Sequence, residues 1–325
     1  MPKLRSLLLG VTGLALGLLA LAAPAAAQSD YPNRPVRLII PFPPGGSNDV
    51  VGRLIGTQLT EKLGKQVVID NRAGAGGVVG TELLSKAPND GYTIGVVSIA
   101  HAVNPWLYKL PYDPKALAPV GLMATGTNVL VIHPSLPVRS VQELITLAKQ
   151  KPGELQYASA GIGSFQHLGT ELFKLEAGVN LLHVPFRGGG PSMNDVLGGH
   201  TKIMMSSLVQ TTGHIKSGRL IALATGGKQR SPILPDVPTV AEAGVPTYEA
   251  LNWWGIVAPA GTPSEIITKL HAALSQVQDM PEVQKQFDAQ GAAVQKMSSA
   301  DFGKFVEGEI NRWERVVKEA GIKAE

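Results

Sequence analysis

Short runs of aliphatic and β-branched residues alternate along the chain with longer stretches whose apolar positions recur every three to four residues. That alternation predicts a layered α/β fold rich in parallel strands. Residues 36–40 read as a strand and 49–63 as an amphipathic helix closed by Gly64. Further strands are predicted at 66–70, 93–99, 155–158, 181–184, 203–206, 221–225 and 255–258, and helices at 80–87, 141–150, 167–177, 193–197, 264–275, 283–289 and 300–320. Residues 117–124 and 128–133 read as extended chain. Ser231-Pro232-Ile233-Leu234-Pro235-Asp236-Val237-Pro238 excludes helix and central strand, because proline fixes φ and offers no N–H, so this stretch reads as a crossover. Extended passages near 120–130 and 222–238 divide the chain into a discontinuous lobe, 28–125 with 227–325, and an inserted lobe, 126–226. Two crossovers between two lobes imply a hinged cleft.

The N-terminus breaks this pattern. Lys3 and Arg5 precede an apolar run over 7–21, and Ala25-Ala26-Ala27 supplies a small-residue cleavage pattern, so residues 1–27 read as a signal peptide cleaved after Ala27. The run is short for a membrane span. Export to a bacterial periplasm follows. Without Lys3 and Arg5, 27 basic residues face 25 acidic ones, a balance that asks for no nucleic acid. The 325-residue chain has no Cys, which removes disulfide scaffolds, thiolate nucleophiles and Cys-ligated metals. Its seven His are scattered without metal-type pairing, so neither metal nor cofactor is expected.

Candidate chemistry lies in four loops that each follow a predicted strand and enter a helix: Pro41-Phe42-Pro43-Pro44-Gly45-Gly46-Ser47, Gly74-Ala75-Gly76-Gly77, Ser159-Ala160-Gly161-Ile162-Gly163-Ser164 and Phe186-Arg187-Gly188-Gly189-Gly190-Pro191. In parallel sheets such loops sit at the carboxyl ends of strands, where ligands bind, and helix N-termini present unpaired N–H groups suited to an anion. Ser47 and Ser164 stand where an N-cap hydroxyl would stand, His167 is a carboxylate donor or a loop brace, and Asp49 stabilises its own helix start. Arg187 is the cationic candidate, and Ser98 and His101, read at the end of another strand, are placed to line the cleft. Trp253-Trp254 reads as core packing, with one indole able to wall a ligand. No G-x-S-x-G, H-E-x-x-H or P-loop pattern occurs, and Val79 occupies the third glycine position of the one apparent dinucleotide fingerprint.

The loop strings, with Asn71-Arg72-Ala73, Val184-Pro185-Phe186-Arg187-Gly188, the run from Pro235 to Gly244 and Trp254-Gly255-Ile256-Val257-Ala258-Pro259, resemble in order the motifs of tripartite tricarboxylate transporter receptors, the Bug or TctC-like family. The resemblance spans the mature chain. It implies a two-lobed periplasmic binding protein fold of type II-like architecture, with two parallel-rich sheets, that captures a small di-, tri- or aromatic carboxylate and delivers it, as a monomer, to transporter membrane subunits. It carries ligand contact to Phe42, Gly45, Gly46 and Ser47 from one lobe and to Ser159, Gly163, Ser164 and His167 from the other, with Gly76, Ser98, His101, Arg187 and Ser206 completing the expected site. Many members carry an acidic residue where this chain reads Thr201-Lys202-Ile203-Met204-Met205-Ser206-Ser207, which disfavours an amino-acid ligand. Two other roles fit the same chain: an exported hydrolase or isomerase using Ser164 with His167, and a partner presenting its ligand to a membrane kinase.

Overall fold

The computed structural model describes residues 30–323, so the leader read at 1–27 lies outside the described residues. The chain divides into Met1–Asn33 and Arg34–Glu325, and the second unit carries every element below. In order these are β1 (Val36–Ile40), α1 (Ser47–Leu63), β2 (Val67–Asn71), a 3-10 turn at Ala75–Gly77, α2 (Val78–Ser85), β3 (Thr93–Ser98), α3 (Ile99–Leu107) and β4 (Ala118–Ile132). There follow α4 (Val141–Gln150), β5 (Gln156–Ser159), α5 (Phe165–Ala177), β6 (Leu182–Pro185), α6 (Gly189–Leu197), β7 (Ile203–Ser207), α7 (Leu208–Lys216) and β8 (Ile221–Thr225). The chain closes with β9 (Leu251–Ala258), α8 (Ser264–Gln278), α9 (Pro281–Asp288), β10 (Ala292–Val294) and α10 (Ser299–Glu319).

β1 is apolar at four of its five positions because it is covered on both faces, as parallel strands are. It pairs in parallel with β2 and β3. Helix α1 packs closely over this sheet because two of its turns carry glycine: a Cβ at Gly52 would lie 2.7 Å from Ile40 Cδ1, and one at Gly56 2.8 Å from Ile69 Cδ1. Gly64 ends the helix in the left-handed conformation at φ 66°. A second parallel set forms from β5 with β6 and β7.

The two sets meet in β4. Its first part pairs antiparallel with β9, down to Thr127 opposite Leu251, and from Asn128 opposite Ser207 it pairs antiparallel with β7. β8 lies antiparallel along the same second part. Register shifts at Pro119/Gly121, Leu122/Ala124 and Leu130/Val131 bend the strand, as β-bulges do, so that one continuous strand serves both sheets. The ladder therefore runs β2-β1-β3-β9-β4-β7-β5-β6, parallel at its outer parts and antiparallel at its centre. This is the two-lobed periplasmic binding protein fold, with its sheets joined through a shared strand.

The 231–238 stretch is neither helix nor strand, as its prolines require. Trp253 and Trp254 are both buried on β9. The Trp253 indole meets Phe302 edge to face at 6.1 Å and donates its N–H to Glu309 Oε2 at 2.9 Å, which fixes α10 against the sheet. Among the described residues no helix is long and apolar enough to cross a membrane.

Candidate functional site

All four glycine-rich loops come together. They line one cleft of about 550 Å³ through Phe42 and Pro43, the 73–77 segment, the 160–162 segment and the 185–188 segment, with Tyr108 closing one side. Phe42 and Ala160 also line a smaller, more enclosed compartment of about 20 Å³, space for about one water. Four helices begin at this inner compartment. Gly46 and Ser47 bring the start of α1, Ser98 that of α3, Ser164 and Phe165 that of α5, and Gly189 that of α6. Each start leaves its first N–H groups without intrahelical acceptors and carries the positive end of a helix dipole.

The compartment is narrow because loops from the two sheets touch backbone to backbone. A Cβ at Gly46 would stand 3.6 Å from the N and Cα of Gly189, and one at Gly190 2.7 Å from the Pro44 carbonyl oxygen. At Gly190 only glycine permits this approach. Local bonds hold the loops in shape. Asp49 accepts from the Gly45 N–H at 3.0 Å, from Arg53 Nε at 2.8 Å and from Asn71 Nδ2 at 2.9 Å, and Asn71 also donates to the Phe42 carbonyl. Burial pushes the Asp49 carboxyl up, but these donors outweigh it and hold the group below its ordinary value.

The expected site residues separate into three sets. Phe42, Gly46, Ser47, Ser98 and Ser164 line the inner compartment, and Gly76 and Arg187 line the cleft. Gly45, Ser159, Gly163 and His167 brace the loops. The Gly163 N–H donates to His167 Nδ1 at 3.2 Å, and Ser159 Oγ accepts from the Gly161 N–H at 3.0 Å and lies 2.6 Å from His183 Nε2. The N–H groups of Gly45 and Gly163 are thus bonded within the protein. His101 and Ser206 lie away from both compartments. His101 sits on helix α3 rather than at a strand end, buried, with Nε2 3.1 Å from the Pro114 carbonyl, beside a separate cavity of about 240 Å³. Ser206 is buried on β7 and donates to Gln210 Oε1 at 3.3 Å.

The two serines differ. Ser164 caps α5, accepting from the His167 N–H at 3.3 Å. Ser47 caps nothing, because the N-cap of α1 is Gly46. Sequence reasoning also missed Asn48, Gln166 and Asn252 in the inner compartment and Tyr108 in the cleft. Asn48 and Gln166 carried a signal, since Asn48 lies between the candidates Ser47 and Asp49 and Gln166 between Ser164 and His167; Tyr108 and Asn252 are brought in by tertiary structure alone.

The electrostatics are one-sided. Arg187 is the single Lys or Arg lining either compartment, no Asp or Glu lines them, and Arg187 has no ion-pair partner among the described residues. His167 and His183 stack 4.1 Å apart, and His183 stacks on Tyr157 at 4.8 Å. Burial, reinforced by Lys174, lowers His167 to about 4, and burial lowers His183 to about 3, so both rings are neutral near pH 7. With Nδ1 taken by Gly163 and the ring stacked on His183, the His167 imidazole is not the partner of the Ser164 hydroxyl, and the pair forms no nucleophile and base.

The family model of the tripartite tricarboxylate transporter family receptor matches residues 51–322. Protein BugT of Bordetella pertussis is 39% identical over 320 residues, covering 97% of this chain and 98% of its own. Among solved structures, R. palustris Rpa4515 with adipate superposes with a TM-score of 0.88 at 38% identity, over 91% of this chain and 100% of that one. MatC from Rhodopseudomonas palustris with bound malate gives 0.85 at 32% identity, over 88% and 100%.

Proposed function

The chain belongs to the tripartite tricarboxylate transporter receptor family, whose members are periplasmic solute-binding proteins, and we infer that it captures a small organic carboxylate in this cleft for delivery to the membrane subunits of such a transporter. The observation that carries this reading is the convergence of four helix N-termini on one compartment that no acidic side chain lines. The first-turn N–H groups of α1, α3, α5 and α6 and the hydroxyls of Ser47 and Ser98 hold the carboxylate, Phe42 walls it, and the Gly45, Ser159, Gly163 and His167 braces keep the loops in place. Each hydrogen bond to a charged group contributes about 1.5–3 kcal/mol, so three or four of them, less the ordering cost, reach the roughly 8 kcal/mol of micromolar binding. Adipate and malate in the two related structures are carboxylates of the kind this site suits.

Binding here involves no chemistry on the ligand. The protein acts as an exported monomer, its leader cleaved after Ala27, and closes by rotation of lobe 126–226 against lobe 28–125 with 227–325. The change of β4 partner between Thr127 and Asn128 and the end of β8 at Thr225 support those limits. Thermal-shift screening of the mature protein against di-, tri- and aromatic carboxylates tests the reading. An acid at about 100 times its Kd stabilises by roughly 2.7 kcal/mol. Silence across the whole panel from folded, ligand-free protein would sink it.

A further inference from the structure

One side chain lines neither compartment yet is bonded to two of the helix starts. β7 ends in two serines: Ser207 caps α7, accepting from the Val209 N–H at 3.3 Å, and Ser206 meets Gln210 in the first turn of that helix. The Gln210 amide then joins β7, α5 and α6. Its Nε2 donates to the Gly189 carbonyl at the start of α6 at 2.6 Å, and its Oε1 accepts from Ser206 Oγ at 3.3 Å and from Gln166 Nε2, in the first turn of α5, at 3.5 Å. Gly189 is held between this amide and the start of α1 across the seam, since a Cβ there would lie 3.1 Å from Gln210 Oε1 and 3.0 Å from Gly46 Cα. Gln166, Gly189 and Gly46 line the inner compartment, whereas Gln210 does not. A primary amide suits this place because one end must donate to a carbonyl while the other accepts from two donors; a carboxylate would set an oxygen against the Gly189 oxygen. The Gly189 carbonyl also accepts from Ser192 Oγ at 3.0 Å, so without Gln210 it stays bonded and only its position is released. Resting on the carboxylate reading above, we propose that Gln210 is a positioning residue: its amide fixes the starts of α5 and α6 relative to each other and so sets how long a bound anion is held, without touching it.

The test uses the mature protein and the tightest acid of the di-, tri- and aromatic panel, with adipate and malate included, in calorimetric titration and stopped flow. Gln210→Met is close in size and makes neither bond. It binds at least about tenfold more weakly, and the loss lies in faster dissociation with association near the parent value, because Gln210 meets no ligand. Gln210→Glu binds weakly at pH 8, and its affinity relative to the parent recovers as pH falls to 5, because a protonated carboxyl again donates to the Gly189 carbonyl. Taking the ratio at each pH cancels the titration of the ligand itself, and Gln210→Met shows no such recovery. In the ligand-free protein, hydrogen exchange of Gln210→Met is faster in segments 165–168 and 189–193 and parent-like elsewhere. Circular dichroism melts confirm that each variant folds. Parent-like affinity in Gln210→Met, or a Gln210→Glu ratio that does not change with pH, overturns the role of Gln210 while the carboxylate reading stands. If no acid of the panel binds the parent, the carboxylate reading falls and exchange alone judges the amide: acceleration confined to those two segments upholds its hold on the helix starts, and parent-like exchange removes it.

Discussion

Ser47 and Ser164 both line the inner compartment at the start of a helix, yet their hydroxyls are committed differently. Ser164→Ala removes an N-cap and should lower stability by about 1 kcal/mol. Ser47→Ala removes no cap, so its denaturant midpoint should stay within about 0.5 kcal/mol of the parent while affinity for the acid found by screening drops by about 0.5–1.5 kcal/mol, the usual net value of one hydrogen bond. Equal losses of stability in the two variants would contradict the assignment. Gly190 gives a second residue-level test. Its φ is not in the left-handed region, so alanine there brings no backbone strain, only a methyl 2.7 Å from the Pro44 carbonyl oxygen. Gly190→Ala should therefore hold the seam apart and weaken ligand binding at least about tenfold with little change in the ligand-free melt. Gly46→Ala, whose Cβ meets its neighbours at 3.6 Å, should bind nearly as the parent does, and parent-like affinity in Gly190→Ala would show that the seam does not close on the ligand.

At the scale of elements, the stack of Tyr157 on β5, His183 on β6 and His167 on α5 ties these three together. Unfolded imidazoles take up protons below about 6.5, whereas in the fold His167 stays neutral to about 4 and His183 to about 3. The unfolded chain then binds more protons throughout that interval, so stability falls as pH drops from 6.5 toward 4. His167 alone accounts for up to about 3 kcal/mol of that loss. Melting temperatures between pH 7 and pH 4 should show the decline, and His167→Gln should flatten it; superimposable profiles for parent and variant would exclude the stack as its source. The sequence revealed β5, β6 and α5 within two residues, because short apolar runs and helical periodicity are local properties. It did not reveal α3, α7 or β10. Ile99, Ala100, Ala102 and Val103 extend the apolar character of β3 past Ser98, with only His101 between them, so periodicity alone does not distinguish a strand extended to 99 from a helix beginning there. That misreading put His101 at a strand end facing the cleft, whereas the helix turns it into its own cavity. The glycine loops were legible because close backbone approach and positive φ demand glycine at particular places, such as Gly163 at φ 75°. Tyr108 and Asn252 reach the site from distant parts of the chain and have no local signature.

For the molecule as a whole, the inner compartment has only about 20 Å³ of free space with the loops drawn together, so the two sets of loops must part for a carboxylate to enter and then close around it. Small-angle scattering should therefore show a ligand-free ensemble more open than this structure and a modest compaction on saturation with the acid. An unchanged radius of gyration and distance distribution would indicate a rigid, preformed site. The shared strand β4 constrains what such motion can do. Because its hydrogen bonds are divided between β9 on one side of Thr127 and β7 and β8 on the other, neither sheet can come apart without unravelling the backbone ladder of its neighbour. A receptor built from two halves around a hinge would ordinarily be free to denature piecemeal; here the halves share their central support, so heat or protease should find a single all-or-none transition and no half-molecule that survives alone.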